Sequence, residues 1–434
     1  MSSPPTPARN ASPFPRLGQR YAFVVVGVIF FCLLFSAGLR STPSVLLTPL
    51  QQTFGWSRSI ISLAAAIGIF FYGMMGPFAA AAMERFGLRH ILLTALVVMA
   101  ASCAASAYMT QTWHLIALWG IFSGMASGAV AVVLGATVVN RWFVKHRGLA
   151  MGVLTASTAT GNLIFLPVLA SLASSGDWTR AVWAVAIAAL VMVPLVWWLV
   201  PGRPADVGLL PYGSDPADPP KAAAPRTGLL TATFGALKRA VRTRAFWYLF
   251  ATFWVCGFTT NGLVGTHLIA LCGDHGIAPV EAAGLLSMMG VFDLIGTTAS
   301  GWLTDRYDPR KLLFVYYALR GVSLIVLPYT DFSFYSLSIF AVFYGLDWIA
   351  TVPPTLRLAN EAFGERDAPV VFGWIVAGHQ IGAATAAWMG GFVREATGSY
   401  LMAFVLSGAT GIIAAVIALL VKRQRATPLE PAVA

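Results

Sequence analysis

The sequence predicts an all-α membrane protein, with twelve transmembrane helices set out as two pseudo-symmetric six-helix halves. Three observations lead there. The chain of 434 residues is 58% hydrophobic and only 10% charged, with a mean hydropathy of +0.75, which excludes an ordinary soluble domain. Apolar runs of roughly 20 residues recur along it, each long enough at about 1.5 Å per residue to cross about 30 Å of hydrocarbon. A short charged turn also occurs twice at half-chain spacing. Glu84-Arg85 and Asp305-Arg306 stand 221 residues apart (84 to 305), and the same offset carries Gly152 onto Gly373 and Gly161 onto Gly382. That is the mark of an internal duplication.

The long apolar runs are read as helices because lipid offers no partner to backbone amides, and barrel strands would be shorter and would alternate. Residues 1–20 are rich in Pro and Ser and lack the apolar core of a signal peptide. They read as a disordered cytoplasmic tail ahead of an uncleaved first helix. Helices are expected at about 21–48, 57–82, 89–110, 113–139, 147–173 and 179–200, then at about 245–272, 281–304, 311–329, 333–358, 368–393 and 399–421. An N-terminal half thus occupies 21–200 and a C-terminal half 245–421, with a cytoplasmic linker over 201–244 and a tail over 422–434. The linker holds Pro201, Pro204, Pro211, Pro216, Pro219 and Pro220, then the basic residues Lys238, Arg239, Arg242 and Arg244. Its end reads as a helix lying on the membrane surface. Gly120, Gly124 and Gly128 recur every fourth residue on the fourth helix, a smooth face for a neighbouring backbone. Pro43, Pro167, Pro194, Pro353 and Pro354 should kink or end their helices.

A net charge of +11 would suit nucleic acid, but its distribution excludes that partner. When loops are assigned by alternation, only Arg58, Arg180 and Arg394 fall on one side, and Arg40 and Arg320 lie within helices. The remaining Lys and Arg share the side of the two termini. This asymmetry puts both termini in the cytoplasm and fits a bacterial inner membrane. Cys32, Cys103, Cys256 and Cys272 are scattered singly, with no metal spacing and no disulfide framework. No cofactor is expected. No G-x-S-x-G, H-E-x-x-H or nucleotide-binding loop occurs, so the chain is not expected to be an enzyme.

Function is sought in polar residues where lipid should be, since a charge at bilayer depth costs at least a few kcal/mol. Arg40 lies in the outer half of the first helix, where it either snorkels to the interface or faces a cavity and binds an anion. Asp293, in Gly-Val-Phe-Asp-Leu-Ile-Gly near the middle of the eighth helix, suits proton coupling; a permanent structural salt bridge is the alternative. Arg320 and Asp347, within the ninth and tenth helices, are expected to form an ion pair. Asn261 stands at the 221 offset from Arg40, His267 lies two turns further out, and Tyr72 is the counterpart of Asp293. With Gln380, next to His379 on the eleventh helix, these are candidate substrate contacts, though helix–helix hydrogen bonding explains any one of them equally well.

The repeated turn resembles the signature of the major facilitator superfamily, Gly-x-x-x-Asp-Arg-x-Gly-Arg-Arg/Lys after the second helix, echoed after the eighth. The second copy keeps Gly301, Asp305, Arg306, Arg310 and Lys311 but has Asp308 and Pro309 where Gly and Arg are usual. The first keeps Arg85, Gly87 and Arg89, with Ala80 for Gly and Glu84 for Asp. The resemblance implies a transporter, usually monomeric, whose first, fourth, seventh and tenth helices line a cavity. It implies that Glu84, Arg85, Arg89, Asp305, Arg306 and Arg310 brace a cytoplasmic gate.

Residues 140–161, from Asn-Arg-Trp-Phe-Val-Lys-His-Arg onward, look like the entrance to the fifth helix in the monocarboxylate transporter and oxalate–formate antiporter branch. Arg40 falls where that branch has a helix-one lysine, and Asp293 matches the aspartate of its Asp-x-x-x-Arg. Thr297 stands in place of that arginine. The expectation is secondary transport of a small organic anion, a monocarboxylate, together with a proton. The rival readings are an exporter of neutral or amphipathic molecules, an organic anion exchanger and a non-transporting receptor.

Overall fold

The computed structural model describes residues 15–174, 177–215 and 229–421. Of the expected disordered tail over 1–20, residues 1–14 lie outside the described residues, whereas Pro15–Arg20 form a short helical segment that leads into the first span. The tail over 422–434 and Pro216, Pro219 and Pro220 of the linker also lie outside the described residues. Among those residues the chain is helical throughout, with one isolated bridge between Phe143 and Tyr212. Among the described residues, twelve helices are long and apolar enough to cross a membrane. They are Leu17–Phe54, Arg58–Gly76, Leu88–Ser106, Thr112–Trp142, Leu149–Ser174 and Thr179–Leu199, then Arg244–Asp274, Pro279–Thr304, Pro309–Tyr329, Phe334–Gly364, Val370–Thr397 and Leu401–Leu419. They are called helices one to twelve below. Helix two continues past its apolar window to Phe86.

The chain forms two compact units. One comprises Met1–Arg226 with Leu268–Gly290, the other Thr227–His267 with Val291–Ala434.

In the first unit, helix four lies against helix two along its glycine face. A Cβ at Gly124 would stand 2.7 Å from the Gly68 carbonyl, and one at Gly128 2.6 Å from the Tyr72 carbonyl. Any side chain at either place would push the backbones apart. Helix five crosses helix one in the same way, with Gly161 against the Leu34 carbonyl. Helix four is not a uniform α-helix. Its turns widen to the π form over Ile116–Ser123, and it breaks at Ala131, which is extended at φ −122 and ψ −166 before the helix resumes. Its last turn carries Arg141, whose guanidinium donates to the Gly202 carbonyl at 3.2 Å and the Met83 carbonyl at 3.5 Å. At the other end of helix two, Arg58 pairs with Asp274 at 3.3 Å.

The second unit repeats several of these devices. Helix seven widens to a π turn over Phe258–Val264, and a Cβ at Gly382 of helix eleven would fall on the Trp254 carbonyl. Gly382 is the repeat counterpart of Gly161 and meets the counterpart of helix one. Helix ten breaks after Asp347 and resumes at Val352. From there helix ten runs on to Gly364, whose non-helical φ of 73 and ψ of 161 suit glycine and separate it from helix eleven, which ends at Thr397. Arg357 donates to the Thr304 carbonyl at the end of helix eight. Thr304 stands 221 residues from Met83 (83 to 304). A helix does form at the end of the linker, over Leu229–Ala240, and its Phe234 ring meets Trp374 at 5.5 Å.

Candidate substrate and proton sites

In the first unit, helix one brings Arg40 over helix two, where its guanidinium carbon lies 4.7 Å from the centre of the Tyr72 ring. Tyr72 is held there by Gly128, because a bare backbone lets helices two and four touch at that level. A cation over an aromatic face is attracted by the ring quadrupole, and the ring also shields it from lipid. Arg40 is half-buried, its Nε is buried without a hydrogen-bond partner, and it has no ion pair among the described residues. The adjacent Ser41 donates to Asn162 Oδ1 of helix five at 3.1 Å, and one turn back the buried Ser36 hydroxyl has no partner. This patch is polar, cationic and incompletely satisfied, as an anion subsite is.

In the second unit, Asp293 is only 7% exposed. Its Oδ1 accepts from the Thr297 hydroxyl at 3.0 Å and from the Ile349 amide at 2.9 Å. Thr297, which replaces the branch arginine, therefore serves the carboxylate as a neutral donor. The nearby buried cation comes from helix nine. Arg320 is 1% exposed and donates through Nε to Asp347 Oδ2 at 2.6 Å. It also donates through Nη1 to Cys256 Sγ at 3.1 Å. Cys256 lies 3.3 Å from the Thr351 hydroxyl. Arg320 and Asp347, two of the charges singled out in the sequence, are thus brought together and buried as a pair.

The other candidates are dispersed. His267 is fully buried, with Nδ1 at 3.2 Å from the Tyr400 hydroxyl and Nε2 at 2.7 Å from the Ala387 carbonyl. Both ring nitrogens are engaged in tying helix seven to its neighbours. Asn261 is half-buried in the widened turn of helix seven, where its carbonyl accepts from the Thr266 hydroxyl at 3.0 Å. Gln380 is half-buried on helix eleven, next to His379, whose Nδ1 is buried without a partner.

At the charged turns, Arg85 stacks on Phe86 at 5.3 Å and Arg89 on Trp197 at 4.5 Å. Glu84 belongs to helix two, and its side chain lies outside the described residues. Arg306 stacks on Trp302 at 4.0 Å, and Asp305 is exposed. The unusual Asp308-Pro309 has a local reason. Asp308 caps helix nine, accepting from the Arg310 amide at 3.0 Å, and holds the Arg310 guanidinium at 2.6 Å. Pro309 fits the first turn, where its missing N–H costs nothing.

Sequence reasoning missed Cys256, Thr351, Ser300, Asn162 and the partner of Arg58. Asn162 alone carries a sequence signal, as an amide in an apolar span; the others depend on contacts far apart in the chain.

Apolar helices of membrane length, two of them widened and two broken, with buried charges held inside, define an integral membrane transporter. The chain belongs to the Major Facilitator Superfamily, whose model matches residues 29–355 and 270–433. It is 24% identical over 398 residues to an uncharacterized MFS-type transporter of Bacillus subtilis, YcxA, covering 86% of this chain and 90% of that one. It is 26% identical over 391 residues to monocarboxylate transporter 13 of Rattus norvegicus, covering 90% and 86%. Among solved structures, a bacterial homolog of the human lysosomal transporter Spinster, inward-facing and occupied, superposes with a TM-score of 0.75 at 16% identity over 92% of this chain and 97% of that one. The D-xylose-proton symporter does so with a TM-score of 0.72 at 14% identity, over the same shares.

Proposed function

We propose that the protein carries a small organic anion, a monocarboxylate, across the membrane together with a proton, by alternating access. The observation that carries this reading is Arg40. Of the buried or half-buried guanidiniums on the helices described above, Arg58 has Asp274 and Arg320 has Asp347. Arg40 has an aromatic face, a buried Nε without a partner and no carboxylate. A substrate carboxylate would supply the missing acceptors. Similarity to several proteins named monocarboxylate transporters supports the substrate class. With Thr297 in place of the branch arginine, Arg40 carries the charge role alone in this reading.

In this reading Arg40 and Tyr72 hold the anion and Asp293 exchanges the proton. Arg320 and Asp347 form the structural pair beside it. Glu84, Arg85, Arg89, Asp305, Arg306 and Arg310 brace the cytoplasmic gate. The Lys and Arg distribution supports a bacterial inner membrane with both termini cytoplasmic, and the protein acts as a monomer.

The test is uptake of labelled lactate or pyruvate into proteoliposomes, with and without an inward proton gradient, for wild type and Arg40→Ala. Gradient-driven uptake that disappears in the variant is expected. Absence of uptake in wild type under both conditions would remove the monocarboxylate assignment.

A further inference from the structure

The break in helix ten frees backbone groups that a continuous helix would pair internally. Non-helical backbone at membrane depth persists only where the protein satisfies it. Here three side chains of the same unit do so. The Ile349 amide donates to Asp293 Oδ1 at 2.9 Å. The Ala350 carbonyl accepts from the Ser300 hydroxyl at 2.5 Å. The Arg320 guanidinium takes the Asp347 carbonyl and, at 3.3 Å, that of Trp348. Helix eight therefore holds one edge of the break and helix nine the other.

We propose that this break reads the charge on Asp293, with Ser300, Thr297 and Arg320 as its positioning residues. The proposal rests on the reading of Asp293 as the proton site. Oδ1 of Asp293 accepts both the Thr297 hydroxyl and the Ile349 amide, which leaves Oδ2 for the proton. A carboxylate accepts a hydrogen bond about twice as strongly as a neutral group does. The ionised form therefore pins the Ile349 amide and keeps the break open. Protonation weakens that grip and frees the amide to pair within its own helix. The other charged or titratable groups facing this region are Arg320, Tyr316 and Tyr317 from helix nine, Asp347 and Tyr344 from helix ten, Cys256 from helix seven, and His379 from helix eleven, whose side chain hydrogen-bonds Cys256. Arg320 is already committed to Asp347, so it stands as a fixed charge against which Asp293 changes.

The experiment is amide hydrogen exchange of the full chain in lipid nanodiscs, followed on peptides spanning residues 345–352 and corrected for intrinsic rates. Protection of the Ile349 amide is expected to fall about tenfold between about pH 8 and about pH 5.5, the size of one lost charge-assisted bond. In Asp293→Asn it should be low at both pH values. In Ser300→Ala, which leaves Asp293 in place, protection should start lower and keep the same pH response. A wild-type amide indifferent to pH, or an Asp293→Asn amide that still responds, overturns the proposal. If Asp293→Asn does not fold, the wild-type series and Ser300→Ala still decide it. Uptake that loses its proton dependence in Asp293→Asn, with Ile349 protection indifferent to pH, overturns this inference and leaves the proton-site reading standing. Protection that follows Asp293 in a carrier indifferent to the proton gradient supports the inference and overturns that reading.

Discussion

Arg320 grips Asp347 at both ends of the residue, its Nε on the carboxylate at 2.6 Å and its Nη2 on the main-chain carbonyl. Both residues are buried, so removing one strands the charge of the other. Arg320→Leu or Asp347→Leu should each cost about 3–5 kcal/mol, and the double leucine variant should recover part of that loss. Thermal unfolding of the purified protein in detergent reads this. A double variant no more stable than the worse single one would refute the account.

Arg40→Lys keeps a charge but loses the planar fork and its fit to the Tyr72 ring. The expected outcome is a KM for the transported anion raised about tenfold with kcat little changed. Arg40→Ala should abolish saturable uptake. Equal KM values for arginine and lysine would mean that Arg40 does not touch the substrate.

In the proposed symport a protonated Asp293 travels with the substrate, so uptake by the wild type should increase as the outer pH falls. Asp293→Asn mimics that form permanently. Its uptake should be flat with pH while binding of the anion persists, as followed by thermal protection with ligand. An unchanged pH profile would remove Asp293 from proton coupling.

Gly128→Ala places a methyl 2.6 Å from the Tyr72 carbonyl. Backbone cannot rotate away as a side chain can, so helix two must shift and carry Tyr72 off Arg40. We expect a loss of about 1–3 kcal/mol in stability and a raised KM. Stability lost with KM unchanged would uncouple the glycine face from the anion subsite.

Arg58 and Asp274 pair with Arg58 only 8% exposed. Arg58→Ala and Asp274→Ala should be non-additive in a thermal double-variant cycle, with a coupling of about 0.5–3 kcal/mol. Exchanging the two residues should restore part of the stability. Additive losses would show that the pair contributes nothing as a pair.

Hydropathy alone makes the twelve spans legible, because a bilayer demands both length and apolarity from every crossing segment. Helix one shows the limit of that signal: expected to end near residue 48, it continues to Phe54, since hydropathy marks the apolar part of a helix and not its hydrogen bonding. The break in helix ten was half legible. Pro353 and Pro354 announce an interruption, yet the open backbone lies ahead of them, at residues 348–351, where no residue type forbids helix. What opens it there is the set of donors and acceptors on helices eight and nine. The widened turns of helices four and seven leave no composition signal. Arg40 and Asp293 stood out because charge in an apolar run is conspicuous, whereas Cys256 and Thr351 look like ordinary apolar-span residues until Arg320 is seen beside them.

Arg141 reaches the carbonyl of Met83, and Arg357 that of Thr304, at repeat-related ends of helices two and eight. A main-chain oxygen is the same whatever residue bears it, so this buttress is blind to the exchange of methionine for threonine. The lettering of the two charged turns was therefore free to drift apart after duplication while their scaffolding stayed put. Kinship between such halves is better sought in where guanidiniums land on backbone than in matching side chains.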